Sequence, residues 1–205
     1  MPILRLGTRK STLAQTQARW VATELHSHFP ELTIEIILIT TSGDRGKEAK
    51  TGGLKTLFTK EIEEALLEKR IDLAVHSLKD MATDLPNGLV LGAVPLREDP
   101  RDVWVSLLYP SLQSAPAHAR IATSSVRRQA QLRHLRPDAL LVPLRGNVDT
   151  RLQKLGERQF DGLVLALAGL KRLGKEKEAT EILEQDVMLP AVGQGALAVE
   201  IRTED

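Results

Sequence analysis

The chain has no cysteine among its 205 residues. That excludes disulfides, zinc–thiolate sites and thiol nucleophiles together. Aromatic residues make up only 3%, too few for a platform on which nucleic-acid bases stack. An excess of charge is missing too: 28 basic residues face 27 acidic ones, for a formal net charge of +1. Nucleic-acid binding through counterion release draws on a basic excess, so these cations matter only if the fold focuses them. No apolar run approaches the ~20 residues that span a bilayer. The N-terminal MPILRLGTRKS lacks the apolar core of a secretory signal. These absences lead us to expect a soluble cytoplasmic protein that engages neither membrane nor nucleic acid. The five histidines show no metal-ligand spacing, and His26 and His28 fall on different helix faces, so no metal site is expected.

What is present is a repeated alternation of apolar runs and polar turns. Residues 3–7 read as a strand. Residues 11–29 read as a helix capped by Ser11, with Ala14, Ala18, Val21 and Leu25 on one face, ended by Pro30. LTIEIILIT (32–40) is a β-branched strand. Residues 42–53 hold four glycines and many charges and suggest a mobile surface loop. A helix over 57–69 and strands at 71–75 and 89–94 follow. The charged PLREDPRD (95–102), with two prolines, marks a domain boundary, and VWVSLL restarts the apolar pattern. Beyond it come strands at 120–123, 139–144 and 161–167, and helices at 125–135, at 147–155 and from Ala168. GALAVEIR (195–202) forms a last strand. Strands alternating with helices predict α/β architecture with mostly parallel sheets. The expected division is 1–95 plus 196–205 for one domain and 96–195 for the other. No internal sequence repeat accompanies it.

Four apolar runs end in turns that carry Arg or Lys: LRLGTRKS, DLAVHSLKD, RIATSSVRRQ and LVPLRGNVDTR. In α/β proteins ligands sit beyond the carboxyl ends of strands, where N–H groups and helix N-termini point outward. Cations at several such ends imply a polyanion. Lys79 and Asp80 follow one strand. A carboxylate there can stabilise a developing cation or donate a proton, although an isolated pair of this kind reads first as an ordinary exposed ion pair. His76 suggests an acid or base, but a single histidine at a strand end reads first as packed or capping. Ser124 and Ser125 start a helix whose first turn carries Arg127 and Arg128. Cations there oppose the helix dipole unless an anion offsets them. Arg145 precedes Gly146, and Asn147 caps a helix carrying Arg151. Each turn alone also fits a plain capped helix with solvated cations, and the ligand reading rests on their co-occurrence.

The segments GTRKS, GGLKTLFTKEIE, DLAVHSLKD, REDPRD, TSSVRRQ, LRGNVDTRL, LAGLKRLG and LPAVGQGA, in this order, resemble those of the porphobilinogen deaminase (hydroxymethylbilane synthase) family over essentially the whole chain. The resemblance implies two periplasmic-binding-protein-like lobes with a cleft between them. It implies a transferase that polymerises four porphobilinogens into hydroxymethylbilane with release of ammonia, in heme and tetrapyrrole biosynthesis. It also implies a dipyrromethane cofactor. By match to the family motifs, Asp80 is the catalytic carboxylate. Lys79, Ser124, Ser125, Arg127, Arg128, Arg145 and Arg151 hold cofactor carboxylates. Arg9, Ser11 and Gln17 face and bind the incoming substrate, as do Lys55, from a mobile cover in the glycine-rich loop, and Gln194, in the crossover back to the first domain.

The family anchors its cofactor by a thioether to a cysteine in a third domain, and this chain, which reads to Asp205 without that domain, has no such residue. GGLKT also departs from the family's GGKG pattern ahead of Lys55. The expectation is therefore a deaminase whose anchor is dispensable or comes from elsewhere, a separate chain included. The alternatives are a non-catalytic two-lobe binder of polypyrroles or other polycarboxylates, and a general solute-binding protein of the same architecture.

Overall fold

The structure, a computed structural model, describes residues 3–43 and 53–205. The glycine-rich stretch read as a mobile loop falls mainly on 44–52, outside the described residues. The chain divides into two compact units, Met1–Arg97 with Ala196–Asp205, and Glu98–Gly195.

The first unit contains β1 (Ile3–Arg9), α1 (Thr12–His28), β2 (Thr33–Ile39), α2 (Gly53–Leu67), β3 (Leu73–Ser77) and β4 (Leu89–Ala93). The second contains β5 (Asp102–Val105), β6 (Arg120–Ala122), α3 (Val126–Leu135), β7 (Leu140–Val142), α4 (Val148–Gly156), β8 (Gly162–Ala166), α5 (Leu167–Arg172) and β9 (Glu181–Leu183). The chain then returns to the first unit as β10 (Leu197–Arg202).

The capping chemistry read from sequence forms as expected. Ser11 accepts a hydrogen bond from the Ala14 N–H and starts α1, which buries Ala14, Gln17, Ala18 and Val21. Ser125 caps α3 and Asn147 caps α4 in the same way. The run predicted over 139–144 pairs only at 140–142. Pro143 has no N–H to give a ladder.

Each unit holds one five-stranded sheet, in the orders β2-β1-β3-β10-β4 and β7-β6-β8-β5-β9. The two orders are equivalent when β6, β7, β8, β5 and β9 stand for β1, β2, β3, β10 and β4, an architectural duplication without a sequence repeat. The sheets are mixed. β1 runs parallel to β2 and β3, and β6 runs parallel to β7 and β8. β10 is antiparallel to both its neighbours, as is β5 to both of its own. Parallel pairing needs a crossover, usually a helix. β5 and β10 enter their sheets without a helix of their own unit before them.

Both faces of each sheet are covered. Leu73 and Val75 of β3 join Ala18, Val21 and Leu6 beneath α1, while Ala74 joins Ile62, Ala65 and Leu66 of α2 on the opposite face. In the second unit Val103 and Val105 pack with Leu163 and Leu165, and Trp104 packs oppositely with Ile121, Leu132 and Val164. This is the two-residue alternation of a strand buried on both sides. β9 has only three residues, too few to show such a period, and is absent from the strands expected above. Trp104 is fully buried, and its indole N–H donates to the Tyr109 carbonyl at 3.0 Å.

Where the chain passes between units, Glu98 N–H donates to the Gly195 carbonyl. Gly195 has φ +89, and a Cβ there would stand 2.2 Å from the Glu98 oxygen. Only glycine suits both the conformation and the approach.

Candidate functional site

In the first unit, a pocket opens where β1, α1, α2 and β3 meet. Arg9, Ser11, Gln17, Phe58, Thr59, His76, Ser77 and Asp80 line it. Arg9, Ser11, Ser77 and Asp80 stand at element ends, while Gln17 and Thr59 lie within α1 and α2. Arg9 is the last residue of β1, Ser11 caps α1, and Asp80 closes the 3₁₀ turn Leu78–Asp80 that follows β3. The Gln17 amide donates to Ser77 Oγ at 2.9 Å and ties helix to strand end. The Arg9 guanidinium carbon lies 4.2 Å from the centroid of the Phe58 ring, a cation–π contact that orients the cation.

Four residues predicted from sequence, Arg9, Ser11, Gln17 and Asp80, therefore share one pocket. Lys79 lies beside Asp80 on the same turn and is not part of the wall. Lys55 falls in the first turn of α2 rather than in a loop, because the helix begins at Gly53, ahead of the predicted start at residue 57. Its side chain lies outside the described residues. Phe58 and Thr59 are pocket residues that the sequence did not single out, and His76, read there as packed or capping, lines the pocket as well. An aromatic at helical spacing reads as core.

In the second unit, the cations gather at the carboxyl ends of the parallel strands β6 and β7. Asp102, fully buried, organises them. Its Oδ2 accepts from Arg127 Nη2 at 2.6 Å, and its Oδ1 accepts from Arg128 Nη2 at 2.7 Å and from Gln194 Nε2 at 2.8 Å. Burial alone pushes the Asp102 carboxyl up. The Arg128 and Arg127 guanidiniums override burial and hold it below the ordinary carboxylate range. Arg127 also donates to the Leu189 carbonyl.

Two guanidiniums share one carboxylate here, which leaves an uncompensated positive charge. The Nε atoms of Arg127 and Arg128 are buried without a hydrogen-bond partner among the described residues. Ser124 Oγ accepts from the Leu144 N–H at 2.9 Å and fixes the β7 turn onto the β6 turn. Arg145 is exposed at the end of that turn, and Arg151 Nε donates to the Gly146 carbonyl at 2.8 Å. Gln194 is buried and also donates to the Pro100 carbonyl at 2.7 Å, so its amide acts on the protein itself.

The charges of REDPRD are paired rather than solvated. Arg101 bridges Asp99 and Glu184, and Lys171 meets Glu98 at 2.8 Å. Hydrogen bonds from Lys171 and Arg101 hold the Glu98 and Asp99 carboxyls, respectively, below their ordinary values. Arg172 donates to the Gly195 carbonyl at 2.7 Å, and burial pushes its guanidinium down.

Solved structures share the fold at low sequence identity. They include the methionine-binding protein MetQ (TM-score 0.60, 13% identity, 98% of this chain and 84% of that one). Another is the periplasmic VFT2 domain of BvgS from Bordetella pertussis (TM-score 0.55, 14% identity, 100% of this chain and 82% of that one). Two curated relatives, each named porphobilinogen deaminase, are far closer in sequence. The one from Syntrophus aciditrophicus is 52% identical, covering 98% of this chain and 67% of its own length. The one from Syntrophotalea carbinolica is 54% identical, covering 98% and 65%. The chain thus spans about two thirds of the length of these relatives. The family model "Porphobilinogen deaminase, dipyromethane cofactor binding domain" matches residues 4–205. With that match running almost end to end and half the residues shared with such relatives, the chain belongs to the porphobilinogen deaminase family.

Proposed function

We propose that this chain carries the catalytic machinery that condenses four porphobilinogen molecules into hydroxymethylbilane with release of ammonia. The observation that carries this reading is the placement of Asp80 in one pocket with Arg9, Ser11 and Gln17. Loss of ammonia from the substrate's aminomethyl group leaves a cationic azafulvene. A carboxylate ~4 Å from that charge, at an effective dielectric of ~20, stabilises it by about 4 kcal/mol, or roughly a thousandfold in rate. Arg9, steadied against Phe58, presents a cation to a substrate carboxylate.

The second unit suits a polycarboxylate chain. The excess of cations over Asp102 and the exposed Arg145 form a donor set that matches acetate and propionate groups. Arg127, Arg128, Arg145, Arg151, Ser124 and Ser125 of this unit would hold the dipyrromethane, with Arg128 acting from within the core. When bound, that group supplies the pyrrole end on which the chain grows. No residue of this chain supplies a thioether anchor, so a covalent link would draw on residues outside these 205, in a further segment or a separate chain. The same reading carries a cytoplasmic location with it.

The runner-up is a binder without turnover. A carboxylate facing an anionic ligand argues against it, because such a group weakens binding and serves only a developing cation. The deciding experiment incubates the purified chain with porphobilinogen and follows ammonia and bilane together. Turnover is expected. Tight binding without ammonia would favour the binder.

A further inference from the structure

Behind the pocket wall lies a group of ionisable side chains that the mechanism above does not use. His76 Nε2 sits 3.1 Å from Glu200 Oε2, and the two side chains are 4% and 0% exposed. Glu63 of α2 is buried on the same face of the sheet. Burial pushes the Glu63 carboxyl up, with Glu200 adding to the rise and His76 opposing it. Three ionisable groups from α2, β3 and β10 thus converge inside an otherwise apolar layer. The cost is visible: among the described residues Glu200 Oε1 is buried with no hydrogen-bond partner, a state that folded proteins seldom leave uncompensated. An apolar pair of similar volume would serve packing alone at least as well.

The geometry has a direction. Glu200 holds one ring nitrogen from the core side, while His76 itself lines the pocket that contains Asp80. Nδ1 makes no hydrogen bond among the described residues. A carboxylate that orients an imidazole, with the second nitrogen left for a reacting group, is the arrangement of a proton-transfer dyad. In the tautomer whose Nε2–H donates to Glu200, Nδ1 keeps its lone pair.

We propose that His76, oriented by Glu200, is a second proton-transfer residue of this pocket, dividing the work with Asp80. The proposal rests on the deaminase reading. In the condensation, the substrate's C–N bond breaks and its electron pair leaves on ammonia. The methylene carbon then gains an electron pair from the α-carbon of the acceptor pyrrole. The C–H bond at that carbon breaks next, its electrons restore the ring, and His76 Nδ1 receives the proton and passes it on to ammonia, which leaves as ammonium. Asp80 stays ionised to balance the intermediate cation. The charged and titratable groups around the ring are Glu200 and Glu63 on the core side and Asp80 and Arg9 across the pocket.

The test compares the unmodified chain with His76→Gln and Glu200→Gln. It uses steady-state turnover of porphobilinogen across pH and ¹⁵N spectra of the imidazole. The expected result for His76→Gln is a fall in kcat of about a hundredfold with KM little changed, and a pH–rate profile of altered shape. Glu200→Gln, which keeps a hydrogen bond but removes the charge, should fall in between. In the unmodified chain, porphobilinogen should shift the His76 Nδ1 resonance. A folded His76→Gln variant with unchanged kcat and pH profile overturns the proposal. So does an Nδ1 resonance indifferent to porphobilinogen, a reading that decides the matter even if the variants do not fold. If the unmodified chain releases no ammonia, the deaminase reading fails on its own account, and a shifted Nδ1 then still upholds His76 as a pocket residue.

Discussion

Asp102 grips Arg128 at 2.7 Å with both side chains withdrawn from solvent, 0% and 8% exposed. The same carboxylate holds Arg127 and Gln194, so one buried group sets the aim of two adjacent cations at the start of α3. Replacing Asp102 with Ala strands the Arg128 guanidinium in the core. The expected cost is about 3–5 kcal/mol, read as a lower urea midpoint. The folded carboxyl titrates below its unfolded value. Its contribution is therefore present above the unfolded pKa of about 3.9 and is lost as pH falls through the folded one. The wild-type chain should lose stability below about pH 4, and the variant should lose less over that range.

Arg145 and Arg128 should separate binding from folding. Arg145 is exposed and makes no ion pair among the described residues, so Arg145→Ala should leave the urea midpoint unchanged. It should weaken a linear tetracarboxylate by about 1.5–3 kcal/mol, the worth of a charge-assisted hydrogen bond. Arg128→Ala should lower both. Calorimetric titration beside denaturation distinguishes them, and equal stability losses in the two variants would contradict the assignment.

Asp80→Asn keeps the size of the side chain and removes its charge. The expected outcome is a loss of about a thousandfold in kcat, in line with removing a charge-stabilising group from a reacting centre. Porphobilinogen affinity should hold or tighten, since an anion facing an anionic ligand has gone. A single-turnover measurement of ammonia release reads the first, and equilibrium dialysis the second.

Gly195→Ala places a methyl against the Glu98 carbonyl at a positive φ. A cost of about 1–3 kcal/mol is expected, with the Glu98–Gly195 hydrogen bond weakened. Hydrogen exchange at the Glu98 amide should accelerate in the variant, and unchanged exchange would argue against strain at this crossing.

Much of this protein is written locally. Helix starts at Ser11, Ser125 and Asn147 follow from short-range capping, which needs only three or four residues to be in register. The apolar runs of the strands carry their own period. The order of charged turns, read against the family's motifs, was enough to name the family and to gather Arg9, Ser11, Gln17 and Asp80 as candidates. Other features depend on partners far along the chain. The sense of β5 and β10 is set by how each enters its sheet, which no local pattern encodes. Three-residue β9 exists because β5 offers it an edge. Arg127 and Arg128 look like solvated cations in sequence, and only the buried Asp102, 25 and 26 residues away, turns them into a fixed fork. His76 looks like a packed histidine until Glu200, 124 residues on, is laid against it. Local sequence determines which elements form and which chemistry each turn carries. Tertiary structure decides which charges are desolvated and paired, because burial and partnership are properties of residues brought together from a distance.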